Sequence, residues 1–253
     1  MTPDRVALAD RFAPYFEIQL LLARRMAELT GDPVGQMART YTNLSHRLGQ
    51  GAPLAGSPTA VWLAYEQALD AVPDLEDQVA LTRQTFIEQP EETIPAPGQT
   101  LFGCFAHEAP DSEGRVKMHF HNLDTDDAGG PLAAGKAGRR RADLAAMVAN
   151  IRQVHPHATA IQGGSWLYNL EAYRRLFPAD YIASRFAPDT VRLTGTSTWG
   201  QLLDSRSEIR PDVRDALMAN LNRLDPRAPW RAFPLRALRT SAPLTSFEVF
   251  YGL

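Results

Sequence analysis

Cysteine is almost absent from this chain: of 253 residues only Cys104 carries a thiol. An internal disulfide and a multi-cysteine metal centre are therefore excluded, and a reducing compartment is the natural setting. Long hydrophobic runs are missing as well. Even an apolar-rich stretch such as Ile18 to Ala23 falls far short of the roughly 20 apolar residues needed to cross a bilayer. Charge of one sign is also lacking: a net charge of -3 gives no global basic field for nucleic acid or an anionic membrane, so any anion site must be local. The opening residues, MTPDRVALADRF, have no basic stretch followed by an apolar one, so no signal peptide is expected. A cytoplasmic protein without a membrane or nucleic-acid partner is the expectation. Internal repeats and low-complexity tracts are absent too.

What is present is enough apolar material, 44% of the chain, for a substantial core. Residues 4 to 89 read as helix. Phe16, Leu20, Ala23 and Ala27 keep helical spacing up to Gly31-Asp32-Pro33, with Pro14 expected to kink the first turns. A second helix is expected over 34–48, a third opened by Ser57 as N-cap with Pro58, and a fourth capped by Asp74. The proline-rich stretch 90–98, PEETIPAPG, reads as a connector. Beyond it the periodicity changes. Strands are expected at Thr100 to Ala106 and Arg115 to Leu123, joined as a hairpin through Pro110 to Gly114. Leu144, Met147, Val148, Ile151 and Val154 mark a helix from Arg141; a strand follows at Ala158 to Gln162. A short helix capped by Asn169, an extended stretch from Tyr181 to Phe186, a helix from Pro211 and a docked apolar tail complete the pattern. The fold class expected is mixed α/β (α+β): a helical N-terminal region over 1–90, then a mixed sheet with flanking helices over 99–253.

Candidate chemistry gathers between Gly114 and Leu170. The loop Gly130-Pro131-Leu132-Ala133-Ala134-Gly135-Lys136-Ala137 fits G-x-x-x-x-G-K-S/T except at its end. Ala137 has no hydroxyl for magnesium and Pro131 lacks a donor, which argues against a nucleoside triphosphatase. Its glycines, with Lys136, Arg139, Arg140 and a following helix N-terminus, can still gather around a phosphate. His119 and His121 stand two apart on a strand and leave the same face, as H-x-H metal ligands do, with Asp124 and Asp126 nearby. His155-Pro156-His157 repeats the spacing on a bend. No nucleophile elbow is complete: Gly163-Gly164-Ser165-Trp166-Leu167 lacks its last glycine. Cys104 lies in an apolar run and reads as a buried small residue, while Trp166, Tyr168 and Trp199 are possible pocket walls.

The succession of strand Val116 to Leu123, loop Gly135-Lys136-Ala137-Gly138-Arg139, helix from Arg141 and strand from Ala158 resembles the GNAT superfamily of acyl-coenzyme A acyltransferases. A GNAT-like family of largely uncharacterised bacterial proteins is also similar, in its helical N-terminal region and in the segment Gly164 to Asn169. The loop departs from the superfamily's R/Q-x-x-G-x-G/A at Leu132. The resemblance implies acyl-coenzyme A as the cofactor, held by Gly135, Lys136, Gly138, Arg139 and Arg140, and a small amine as acceptor. It also implies His119 or His121 as the base and Tyr168 as the proton donor to the leaving thiolate. The alternatives are a metal-dependent hydrolase or oxygenase built on His119, His121 and a nearby aspartate, and a non-catalytic binding protein.

Overall fold

The structure, a computed structural model, describes residues 3–50, 58–89 and 94–253. In chain order it runs through helices α1 (Pro3–Thr30), α2 (Val34–Tyr41), α3 (Leu44–Arg47), α4 (Ala60–Ala71) and α5 (Leu75–Glu88). Strands β1 (Thr100–Phe102), β2 (Phe105–His107) and β3 (Arg115–Phe120) follow, then α6 (Ala137–Val154) and β4 (Ala160–Ser165). After these come α7 (Glu171–Arg174), α8 (Ala179–Ala183), α9 (Thr196–Trp199), α10 (Pro211–Leu221), β5 (Leu238–Pro243) and α11 (Leu244–Tyr251). This is the mixed α and β architecture expected, with helices leading and one five-stranded sheet. No helix among the described residues is long and apolar enough to cross a membrane.

The chain forms two compact units. The helical unit joins α1–α5 to residues 190–236, a stretch that the sequence pattern groups with the sheet. Side-chain burial explains the association: Trp199, Leu202, Leu217 and Phe233 share one core with Phe12, Tyr15 and Phe16 of α1. Trp199 stands edge-on to Tyr15, ring centroids 6.3 Å apart, and its Nε1 donates to the Tyr41 carbonyl at 3.2 Å. α1 runs on through Pro14 without ending. That proline is exposed while Phe12, Tyr15 and Phe16 around it are buried, so the lost backbone bond falls on the solvent side. The second expected helix is divided at Thr42-Asn43. α4 is capped by Thr59, whose hydroxyl accepts from the Trp62 amide; Ser57 lies outside the described residues, as do 90–93 of the connector.

The sheet unit, residues 93–189 with 237–253, has strand order β1-β2-β3-β4-β5. Only the β3–β4 pair is parallel, and α6 makes the crossover between them. One face, carrying Phe105, Val116, Met118, Ile161 and Ala242, packs with Leu144, Met147 and Ile151 of α6 and Phe247 of α11. The alternate residues Lys117, His119, Gln162, Gly164, Arg239 and Ser241 belong to the other face.

β3 changes partners halfway along. Arg115, Val116 and Lys117 pair with Ala160, Ile161 and Gln162 of β4, and there the parallel ladder stops. Met118, His119 and Phe120 pair only with β2, while Gly163, Gly164 and Ser165 pair only with β5. The carboxyl-terminal halves of β3 and β4 are therefore not paired with each other.

Three local expectations are corrected. The run from Thr100 to Ala106 is broken into two strands by a turn at Gly103-Cys104, where Gly103 takes φ +57°. β4 continues through Gly163-Gly164 to Ser165. Tyr181 to Phe186 is not extended: Pro178 opens the helical turn α8, and only Phe186 bridges to Arg239. Left-handed backbone at Gly103 is reinforced by crowding, because a Cβ there would collide with the Asp143 carboxylate, whereas one at Gly98 (φ +83°) meets open space. Gly103→Ala should therefore cost about 2–3 kcal/mol of unfolding free energy against ~1 kcal/mol for Gly98→Ala. Urea unfolding of both variants measures this, and equal losses would show that Asp143 yields without cost.

Candidate functional site

β3 ends at Phe120, short of the expected Leu123, so His119 lies on the strand and His121 just beyond it, their rings 6.4 Å apart at 26°. His119 has a close partner that the sequence did not suggest. Its Nε2 lies 2.6 Å from Oε1 of Glu108, a residue just past β2 whose amide bonds the Lys117 carbonyl across the hairpin. Lys117 Nζ approaches the same oxygen at 3.3 Å. Burial works to raise the Glu108 carboxyl, but Lys117 and His119 outweigh it and hold it below its ordinary value. Burial, with Lys117 beside it, pulls the His119 imidazole below its ordinary value against the opposing influence of Glu108. The ring is therefore neutral at pH 7, the form a general base needs.

On the helix-covered face, beside the half of β4 that β3 does not pair with, sits Tyr168. Gly163 is the first β4 residue beyond the parallel ladder, and the space where its Cβ would be is filled by the hydroxyls of Tyr168 and Tyr181. Those two hydroxyls lie 2.6 Å apart. Burial raises the Tyr168 phenol well above its ordinary value, and the nearby Tyr181 adds to the shift. In the resting protein both phenols are therefore protonated at neutral pH. Gly163 is needed here because any side chain would displace this pair.

The loop from β3 to α6 is drawn together by Asp124. Its carboxylate lies 2.9 Å from both Arg139 and Arg140 and 3.2 Å from Lys136. Lys136 also reaches Asp126 at 2.9 Å and donates to the carbonyls of Asp124 and Gly129. Arg140 is shared further with Asp143 and with the Cys104 sulfur. Lys136 and Arg140 are only 6% and 2% exposed. Expected to lend charge to a bound phosphate, they are engaged inside the protein instead. Gly135, Gly138 and Arg139 are exposed, and no atom lies within 4 Å of a Cβ built on either glycine. This leaves them as the part of the expected anion site that faces outward, at the start of α6.

Other candidates separate. Among the described residues no group of three or more His, Cys, Asp or Glu side chains is placed to hold a metal ion, so His119, His121 and Asp124 do not form such a set. His155 and His157 line a cleft of about 490 Å³ with Asp111 and Glu113, beside the starts of β3 and β4 rather than their ends. Cys104 is buried as expected, and burial raises its thiol. Trp199 belongs to the core of the helical unit and Trp166 is buried in the sheet unit. Glu108 and Asp124 are the residues that sequence reasoning missed as organisers. A hairpin register carried through to residue 108 would have revealed the first.

No protein-family model, no curated protein and no solved structure matches this chain.

The pH dependence of stability follows from His119. With its folded-state pKa below the unfolded value, unfolding takes up a proton between the two. The site's contribution is complete above the ordinary imidazole value of about 6.5 and declines as pH falls through it toward the folded value. Urea unfolding of wild type and His119→Gln at about pH 8 and about pH 5.5 should show wild type losing stability relative to the variant on acidification. An unchanged difference, or one of opposite sign, contradicts the assignment.

Proposed function

We propose that the sheet unit is an acyl-coenzyme A-dependent acyltransferase acting on a small amine, working in the cytoplasm. The observation that carries this reading is the early end of the β3–β4 ladder, flanked by the His119 imidazole on one face and the Tyr168 hydroxyl on the other. Ligands of open sheets with parallel crossovers bind beyond the carboxyl ends of the strands, and the unpaired halves of β3 and β4 are the halves nearest those ends. Free backbone groups along the two strand edges suit an extended, amide-bearing chain, which can add to them as a strand would. A backbone amide of the same edges can polarise a thioester carbonyl. Exposed Gly135 and Gly138 allow close approach to the start of α6, and Arg139 supplies charge for a pyrophosphate. The order of strand, loop, crossover helix and strand supports the reading through its resemblance to the GNAT superfamily.

The chain's residues then divide the work. His119 accepts a proton from the attacking amine as its nitrogen bonds to the acyl carbon and the carbon–sulfur bond breaks. Tyr168 gives its proton to the departing sulfur and is reprotonated from water once the thiol has left, while His119 returns the amine's proton to water.

Thermal unfolding against acetyl-coenzyme A and free coenzyme A tests the first half. At a hundred times its dissociation constant a ligand should stabilise by about 2.7 kcal/mol. Arg139→Gln should weaken this binding while leaving the unliganded transition in place. For the second half, thiol release is followed with a panel of small amines. His119→Ala should lower turnover about 10²–10⁴-fold with unchanged coenzyme affinity. Absence of a shift with either coenzyme would sink the proposal, as would a His119→Ala protein as active as wild type.

A further inference from the structure

We propose that Glu108 is the positioning residue for His119: its carboxylate fixes the Nε2–H tautomer and so makes Nδ1 the nitrogen that takes the acceptor's proton. The inference rests on the acyl-transfer reading for the identity of the acceptor, and on geometry alone for the rest. A carboxylate only accepts hydrogen bonds, so the ring nitrogen 2.6 Å from Glu108 Oε1 must carry the proton. In a neutral imidazole the lone pair is then on the other nitrogen. Nδ1 has no hydrogen-bond partner among the described residues.

The arrangement also answers what happens after the proton is taken. An imidazolium forming in a partly buried place needs a compensating charge, and Glu108 is already in contact with Nε2 to supply it. Lys117 shares the same Glu108 oxygen at 3.3 Å and keeps that carboxyl ionised. The charged and titratable groups acting on His119 are thus Glu108, Lys117 and His121. Glu108 and Lys117 act in opposite senses, which makes them separable. A residue that merely braced the hairpin would leave the tautomer of His119 unspecified.

Nitrogen-15 NMR of histidine-labelled full-length protein reads the tautomer and titration directly, with no substrate present. Wild type should show His119 as the Nε2–H tautomer when neutral. Glu108→Gln, whose amide can accept or donate, should mix the tautomers and lower the titration midpoint, whereas Lys117→Gln should raise it. In the amine assay Glu108→Gln should lower kcat/KM about 10²-fold with the acid limb of its pH profile shifted the same way, KM for the coenzyme unchanged. Glu108→Asp should recover part of the loss. An Nδ1–H tautomer in wild type, or a tautomer and midpoint indifferent to both substitutions, would overturn the assignment; the Lys117 variant keeps the test open if Glu108→Gln does not fold. An inactive protein with the expected tautomer shifts would instead count against acyl transfer and leave the Glu108–His119 pairing standing.

Discussion

Six residues of β3 have to satisfy two different neighbours, and the sheet unit is organised by that division. Val116 is buried and pairs with Ile161, so the first half of the strand belongs to a continuous parallel ladder. From Met118 onward the bonds run only to β2. A buried strand edge with unmet amides and carbonyls is costly, at about 1–3 kcal/mol for each group left without any partner. Such an edge persists where water or a ligand can complete it, which is why the same feature that weakens the sheet supplies a place for chemistry.

The two functional candidates are held at this place by different physics. Tyr168 is fixed by packing: it lies among Tyr173, Phe177 and Tyr181, with Gly163 giving it room from above. His119 is fixed by charge, through Glu108 and Lys117 on the opposite face. A desolvated phenol keeps its proton and a desolvated imidazole loses one, so burial, with Tyr181 and Lys117 adding to it, favours the protonated phenol and the neutral imidazole. The loop beyond β3 shows a third solution. There Asp124 gathers Lys136, Arg139 and Arg140; these cations and their hydrogen bonds outweigh the desolvation that would raise the Asp124 carboxyl and keep it below its ordinary value.

Local pattern carried much of the fold and little of this arrangement. Leu144, Met147, Val148 and Ile151 announce α6 because helix periodicity is a property of neighbours in sequence. Gly163-Gly164 reads as a strand end because glycine weakens a strand; it is a strand interior because hydroxyls from residues 168 and 181 occupy the missing side chain's place. Residues 190–236 join the helical core through Trp199 and Leu217, an association that no local periodicity encodes. Lys136 looked like a phosphate ligand because a glycine-lysine pair after a strand has that look. Its actual acceptors, Asp124 and Asp126, stand twelve and ten residues earlier in a stretch read only for metal binding.

The burial of Lys136 and Arg140 also limits how the loop can act. With its ammonium and guanidinium already matched to Asp124, Asp126 and Asp143, the loop's interior is close to neutral and has no fixed excess of positive charge to offer. An anion arriving at the start of α6 would meet backbone amides, the helix dipole and Arg139, whose side chain is 63% exposed. Those interactions are weaker than a buried cation's and more strongly screened by salt. For the proposed phosphorylated ligand, recognition would therefore have to come chiefly from the strand edges, with the loop setting direction. On the proposed reading, the early end of the β3–β4 ladder would carry binding as well as catalysis.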